Sequence, residues 1–166
     1  MLIFFDTEFS DLGIDPRLVS IGLASEDKRE FYAELLDTYH PKDCSAFTQE
    51  AVLPHLQGGE ACMTMANLTL RLGNWIESLN QPVSLATDSL SWDWPWIQEI
   101  FYIPGTWPEN LDPKPVLLHE LIDTQLLDGI VENIFKRHTP RLRRHHALDD
   151  ARANRMAWLE WRNAQK

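Results

Sequence analysis

The first ten residues contain the pattern that most restricts how this chain folds. Leu2-Ile-Phe-Phe5 is a continuous apolar run of β-favouring residues and predicts a fully buried strand. Asp6-Thr7-Glu8 follows directly, and residues two apart in a strand point to the same face, so the two carboxylates should lie side by side. Such a pair repels itself unless a cation lies between, and hard ions such as Mg²⁺ or Mn²⁺ take oxygen ligands. Two solvated acids in a loop are the alternative interpretation.

The order of the other elements predicts an α/β or α+β fold in one domain over residues 1–166. Two strands, at 18–24 and 29–35, should continue the first as an antiparallel meander. Further strands are expected at 83–86 and 116–122. Helices are expected at 45–56 with a break near Pro54, at 64–79, at 92–102 with Pro95 in its first turn, at 124–137 and at 147–163. The site should lie at the carboxyl ends of the central strands.

Composition and charge exclude several classes of protein. No apolar run reaches membrane-spanning length and no targeting pattern opens the chain, so we expect a soluble, cytoplasmic protein without a membrane partner. Cys44 and Cys62 are isolated, which favours reduced thiols over a zinc site. The net charge of −10 argues against broad electrostatic binding to long duplexes, although a short strand end stays compatible with it. A basic run at 136–144 is either a solvated face or a phosphate contact.

A second acidic segment follows the expected strand at 83–86. Asp93 should begin a helix, where a carboxylate is favoured by the helix dipole, so an N-terminal cap is its alternative role. Asp88 precedes it and suits a cap or a turn equally well. The neighbouring Trp92, Trp94 and Trp96 are expected mostly to pack in the core.

The third segment combines histidine with acid. His145 and His146 stand before the terminal helix, and Asp149 and Asp150 lie in its first turn. An imidazole titrates near neutrality and can take a proton from a water beside a metal ion. Two exposed histidines in a basic loop are the alternative interpretation.

Taken together, Asp-x-Glu, Asp and His-x₄-Asp resemble the motifs of the DEDD superfamily of 3′-to-5′ exonucleases, in its His-bearing DEDDh branch. The resemblance covers nearly the whole chain and is greatest to the small single-domain exoribonucleases of bacteria and phages. It implies a ribonuclease H-like fold, with a mixed central sheet flanked by helices. It also implies four metal-binding acids around two Mg²⁺ or Mn²⁺ ions, with the first acid bridging both: Asp6, Glu8, Asp93 and Asp150.

The general base implied by the resemblance is His145. His146 is its rival, because it has the spacing used by the tyrosine-bearing branch, and Asp149 is the rival of Asp150. Many relatives carry Asn where this chain has Asp88, so that position would hold an extra acid near the ions.

The implied activity is hydrolysis of terminal phosphodiesters of single-stranded RNA or 3′ overhangs, giving nucleoside 5′-monophosphates by a two-metal mechanism. Residues expected to contact the substrate are Thr7, Phe9, Ser10, Trp92 and Arg144. Three alternatives remain: an exonuclease acting on single-stranded DNA, an inactive nucleic-acid-binding module of the same fold, and a hydrolase of free nucleotides. Relatives are often homodimers, and the seven Trp are compatible with an interface.

Overall fold

A six-stranded mixed sheet lies at the centre of the structure, a computed structural model that describes residues 1–166. Its strands are β1 (Leu2–Phe9), β2 (Leu18–Ser25), β3 (Glu30–Leu35), β4 (Cys62–Met63), β5 (Ser84–Thr87) and β6 (Val116–Leu117). The spatial order is β4-β3-β2-β1-β5-β6. β1, β2 and β3 form the expected antiparallel meander, while β4, β5 and β6 each pair in parallel with a neighbour. The predicted mixed sheet is confirmed.

Five α-helices cover the sheet: α1 (Met65–Glu77), α2 (Leu90–Ile97), α3 (Leu118–Leu121), α4 (Thr124–His138) and α5 (Ala147–Ala164). The side chain of Thr64 caps α1 by accepting from the Asn67 amide, and Asp123 caps α4 in the same way. None of the helices has both the length and the apolar composition needed to cross a membrane.

Alternation along β1 divides the core between the two faces of the sheet. Ile3 and Phe5 pack in one apolar cluster, which includes residues of α1 and α2. Phe4 packs in a second cluster, with residues of α4 and α5. Because the alternation has a period of two, Asp6 and Glu8 continue on the face of Phe4, and Thr7 and Phe9 continue on the opposite face.

Several expected elements differ from the structure. β1 continues to Phe9, because β2 pairs with it along the whole acidic segment, so Asp6 and Glu8 lie within the strand. The strand expected at 116–122 ends after two residues and becomes α3. Leu118 at the start of α3 and Ile122 directly after it are both buried.

The remaining differences concern irregular segments. The helix expected at 45–56 is instead a π-helical turn at Thr48–Val52 and a 3₁₀ turn at Leu53–His55. α2 begins at Leu90, so Pro95 lies inside it, and a π-helical turn at Gln98–Tyr102 completes the expected helix. The two-residue β4 was not predicted, because so short a strand has no periodicity to recognise.

Candidate active site

Five carboxylates from three parts of the sequence converge at the carboxyl-terminal half of β1. The carboxylate oxygens of Asp6, Glu8 and Asp150 lie within 4.8 Å of one another, and so do those of Asp6, Asp88 and Asp93. Asp6 is therefore common to two groups of three acids. The four acids selected from the sequence lie together, and Asp88 joins them.

The α5 helix brings Asp150 to this end of the sheet through close packing on β2. Gly22 is paired with Asp6 in the sheet, and a Cβ on Gly22 would collide with the backbone of Ala147 and Leu148. Only glycine allows the first turn of α5 to lie so near the strand, and that turn carries Asp150. No motif marks Gly22 in the sequence, since its role depends on a contact between segments far apart in the chain.

Asp93 is held by threonine side chains from two strands. Its side chain is almost fully buried, at 2% exposed. Oδ1 accepts hydrogen bonds from the Thr7 hydroxyl at 2.6 Å and the Thr7 amide at 3.2 Å, and Oδ2 accepts from the Thr87 hydroxyl at 2.5 Å. Thr7, expected to contact substrate, therefore orients Asp93 and also lines the cleft above the acids.

Burial and mutual repulsion raise the pKa values of these acids. Burial, followed by the charges of Asp93 and Asp150, holds the pKa of Asp6 well above its usual range. Burial and the charge of Asp150 raise the pKa of Glu8 to about 8. Burial likewise raises the pKa values of Asp93 and Asp150 to about 7, although hydrogen bonds to both carboxylates act in the opposite direction.

This donor set fits divalent cations that prefer oxygen. Closely spaced carboxylates resist ionising together without a counter-charge, and Mg²⁺ or Mn²⁺ supplies one. Two groups of three acids that share Asp6 offer places for two neighbouring ions. The structure thus supports divalent metal binding by these residues, without selecting between Mg²⁺ and Mn²⁺.

The two neighbouring histidines occupy different environments. His145 lines the same cleft as Asp6, Glu8 and Asp150, and its ring meets Phe47 edge-on with centroids 4.9 Å apart. Its backbone has φ +60, a left-handed conformation that non-glycine residues rarely adopt. Burial lowers the pKa of His145, so the neutral imidazole, which can accept a proton, is favoured near pH 7.

His146 instead belongs to the packing beneath the cleft. It is 2% exposed and stacks on Tyr32 with ring centroids 4.6 Å apart. Its Nε2 lies 3.1 Å from the side-chain nitrogen of Gln57, and its Nδ1 accepts from the amide of Asp149 at 3.3 Å. His146 is the N-cap of α5, and its backbone amide donates to Asp150 at 3.1 Å.

Asp149 also has a structural environment. It is fully buried and pairs with Arg143 at 2.9 Å and with Arg152 at 2.7 Å. Asp150, one residue further along α5, points its carboxylate to the cleft acids instead.

Aromatic side chains form one wall of the cleft, which has a volume of about 480 Å³. Phe9 stacks on Trp92 with centroids 5.6 Å apart and planes 17° from parallel. Trp92 is 43% exposed, whereas Trp96 is buried and Trp94 packs against the core, as expected for most of this segment. The exposed Phe47, which also lines the cleft, was not singled out from the sequence.

Ser10 and Arg144 lie outside the residues that line this cleft. Ser10 is buried, and its hydroxyl accepts from the Arg17 amide at 2.9 Å. The guanidinium of Arg144 pairs with Glu132 and lies 4.2 Å from the centre of the Phe135 ring. Their expected substrate contacts stay predictions.

No family model matches the chain. Two curated 3′-5′ exoribonucleases of Mycobacterium tuberculosis, from strains CDC 1551 / Oshkosh and H37Rv, are each 39% identical to it over 56 residues. The match covers 34% of this chain and 33% of each relative, so it spans about a third of the relatives' length.

A solved structure covers nearly the whole chain. It is the nuclease domain of 3′hExo, a DEDDh family member, bound to rAMP, with a TM-score of 0.67 and 12% identity over 98% of this chain and 92% of that chain. The ribonuclease H-like fold expected from the motifs is therefore confirmed, and the resemblance to DEDDh nucleases extends to the three-dimensional structure.

Proposed function

We propose that this protein is a metal-dependent 3′-to-5′ exonuclease of the DEDDh type, acting on single-stranded RNA or 3′ overhangs. One observation carries the proposal: two groups of three carboxylates share Asp6 of β1, in a cleft that also contains His145. The fold of a DEDDh nuclease domain supports it, as does the partial match to curated 3′-5′ exoribonucleases.

In this mechanism Asp6, Glu8 and Asp150 would hold one divalent ion, and Asp6 and Asp93 would hold a second. When bound, the ions would supply activation of a water and neutralisation of the charge that develops on the departing oxygen. His145 accepts the proton of the attacking water on an imidazole nitrogen. The water oxygen bonds to the phosphorus of the terminal phosphodiester as the bond from phosphorus to the 3′ oxygen breaks, and the departing 3′ oxygen takes a proton from solvent. The products are a nucleoside 5′-monophosphate and a strand one residue shorter.

The aromatic wall suits the last base of the strand. Phe9 and Trp92 are already stacked on each other, and the exposed face of Trp92 is available for a base. Stacking of this kind is worth about 1–3 kcal/mol per base and tolerates any sequence. RNA is favoured because the curated relatives are named exoribonucleases and the solved neighbour holds rAMP. A homodimer and a cytoplasmic location complete the proposal.

The test uses single-stranded RNA and DNA oligonucleotides labelled at the 5′ end. Mg²⁺ or Mn²⁺ should yield a ladder that shortens from the 3′ end and releases 5′-monophosphates, faster with RNA. Asp6→Ala should reduce the rate by about 10³-fold or more, since it removes the acid common to both ions. Asp128→Ala, which removes an exposed acid on α4, is the matched control.

Four results would contradict all or part of the proposal. Activity of Asp6→Ala within about tenfold of wild type would exclude the metal assignment. Internal cleavage would exclude the direction, and binding without cleavage would identify a binding module. Faster trimming of DNA would move the preference to single-stranded DNA.

A further inference from the structure

Asp88 follows directly after β5, at a point where the register of the sheet places it level with Asp6. The parallel register of β1 and β5 pairs Leu2 with Ser84 and Phe4 with Ala86, an offset of 82 residues. Extended by two residues, the same offset aligns Asp6 with Asp88 (6 + 82 = 88). Their carboxylate oxygens accordingly lie within 4.8 Å, together with that of Asp93.

The carboxylate of Asp88 is oriented by the side chain of Asn154, which makes no other hydrogen bond. Asn154 is 2% exposed, and its Nδ2 donates to Asp88 Oδ1 at 3.0 Å. Asn154 lies four residues after Asp150 on α5, so both side chains leave the same face of the helix. Helix α5 therefore supplies Asp150 to one side of Asp6 and, through Asn154, orients Asp88 on the other side.

The free acceptor capacity differs between Asp88 and Asp93. An ionised carboxylate offers about four lone pairs, two on each oxygen. Asp93 Oδ1 accepts two hydrogen bonds and Oδ2 accepts one, so about one lone pair remains for an ion. Asp88 accepts only the bond from Asn154 and is half-buried rather than buried, so its Oδ2 is available.

We propose that Asp88 is a direct ligand of the ion on the Asp6–Asp93 side of the cleft, an assignment that rests on the proposed function. Mg²⁺ in proteins is commonly bound by one or two carboxylates and completes its shell with waters and phosphate oxygens. Asp6 and Asp88 provide those two carboxylates, while Asp93 contributes its remaining lone pair. Asp88 makes this a site of five acids, and affinity for a hard cation rises with the number of charged ligands.

The experiment is a Mn²⁺ titration of the metal-free full chain, followed by calorimetry and by electron paramagnetic resonance of the free ion. Wild type should bind two ions. Asp88→Asn should weaken one of them about tenfold and leave the other within about twofold, because the second ion is held by Asp6, Glu8 and Asp150. Glu8→Gln should weaken the opposite ion, and Asp128→Asn should leave both unchanged. Circular dichroism verifies that each variant is folded.

The outcomes separate this inference from the function on which it rests. If wild type binds two ions and trims strands but Asp88→Asn binds both as tightly as Asp128→Asn does, Asp88 is not a ligand. If Asp88→Asn and Glu8→Gln weaken the same ion, the assignment to the Asp93 side is overturned. If wild type binds no Mn²⁺ and trims no strand, the proposed function itself fails.

Discussion

The metal-free protein should lose stability as the pH rises from about 6.5 to about 8. Burial and neighbouring charges raise the pKa of Glu8 from its ordinary 4.5 to about 8, and the pKa values of Asp93 and Asp150 to about 7. In this window the folded state therefore binds more protons than the unfolded state, in which these acids are ionised. By linkage, the free energy of unfolding then falls as the pH rises.

The window begins near pH 6.5 because His146 has the opposite effect below it. Burial lowers the pKa of His146 to about 4, so between about pH 4 and pH 6.5 the unfolded state takes up a proton at this site. This one contribution to stability rises with pH and partly offsets the fall caused by the acids. Above pH 6.5 the histidine is neutral in both states and the acids alone decide the slope.

The raised pKa of Glu8 alone gives the size of the expected change in the free energy of unfolding. One proton held by the folded state over the 1.5 pH units of this window corresponds to about 2 kcal/mol. For a chain of 166 residues this lowers the melting temperature by about 4–8 °C. The other acids act in the same direction, although their repulsion is shared and does not add.

The assay is thermal unfolding in a chelator, followed by circular dichroism from pH 6.5 to pH 8, with and without millimolar Mg²⁺. Mg²⁺ should abolish the decline, because it binds the folded state and replaces the protons. Glu8→Gln should flatten the decline in the chelator. A melting temperature that is constant or rises across this window in metal-free protein would refute the repulsion argument, as would destabilisation by Mg²⁺.

Three further predictions concern the supports of the cleft. Gly22→Ala should cost about 1–3 kcal/mol of stability by overpacking and should lower activity by displacing the first turn of α5, whereas Gly129→Ala, whose Cβ meets open space, should do neither; thermal unfolding and strand trimming measure both effects. His145→Ala should reduce kcat by about 10²–10⁴-fold with unchanged melting temperature, whereas His146→Ala should chiefly lower the melting temperature; equal kinetic losses would contradict the assignment. Asp149→Asn should destabilise the fold by about 1–3 kcal/mol in denaturant titrations, because it removes the charge with which Arg143 and Arg152 form hydrogen-bonded pairs.

The elements predicted correctly from the sequence are those that residues close together in the chain specify by their own pattern. The apolar run of β1 and the alternation of β3 each identify a strand within a few residues, and α1, α4 and α5 carry helical periodicity and caps. The strand predicted at 116–122 was wrong beyond Leu117, because Leu118 and Ile122 are four residues apart and this spacing suits a helical turn as well as a strand. β6 is an edge strand, so only β5 can pair with it. Burial of both Leu118 and Ile122 therefore favours the helical turn over a longer strand.

The acids of the candidate site were found through spacing and family resemblance, but their supports were not. Gly22 matters only because α5 returns to β2, and Asn154 matters only because α5 passes Asp88. Phe47 reaches His145 from an irregular segment that has no periodicity to interpret. Side chains that act through distant contacts leave no local pattern, so the structure is needed to identify them.

The charge of the protein and its proposed substrate are reconciled by the same acids. Much of the basic run at 136–144, for which the sequence allowed either a solvated face or a phosphate contact, is neutralised within the molecule. Lys136 and Arg144 pair with Glu132, and Arg137 pairs with Glu160. A polyanionic strand approaching a chain of net charge −10 therefore meets few free cations near the cleft. In the proposed mechanism, divalent ions held by the acid cluster would supply the missing positive charge at the point where the phosphate binds. The repulsion that destabilises the metal-free cluster also favours cation binding, and on this proposal the bound cations would allow so acidic a protein to hold a strand end.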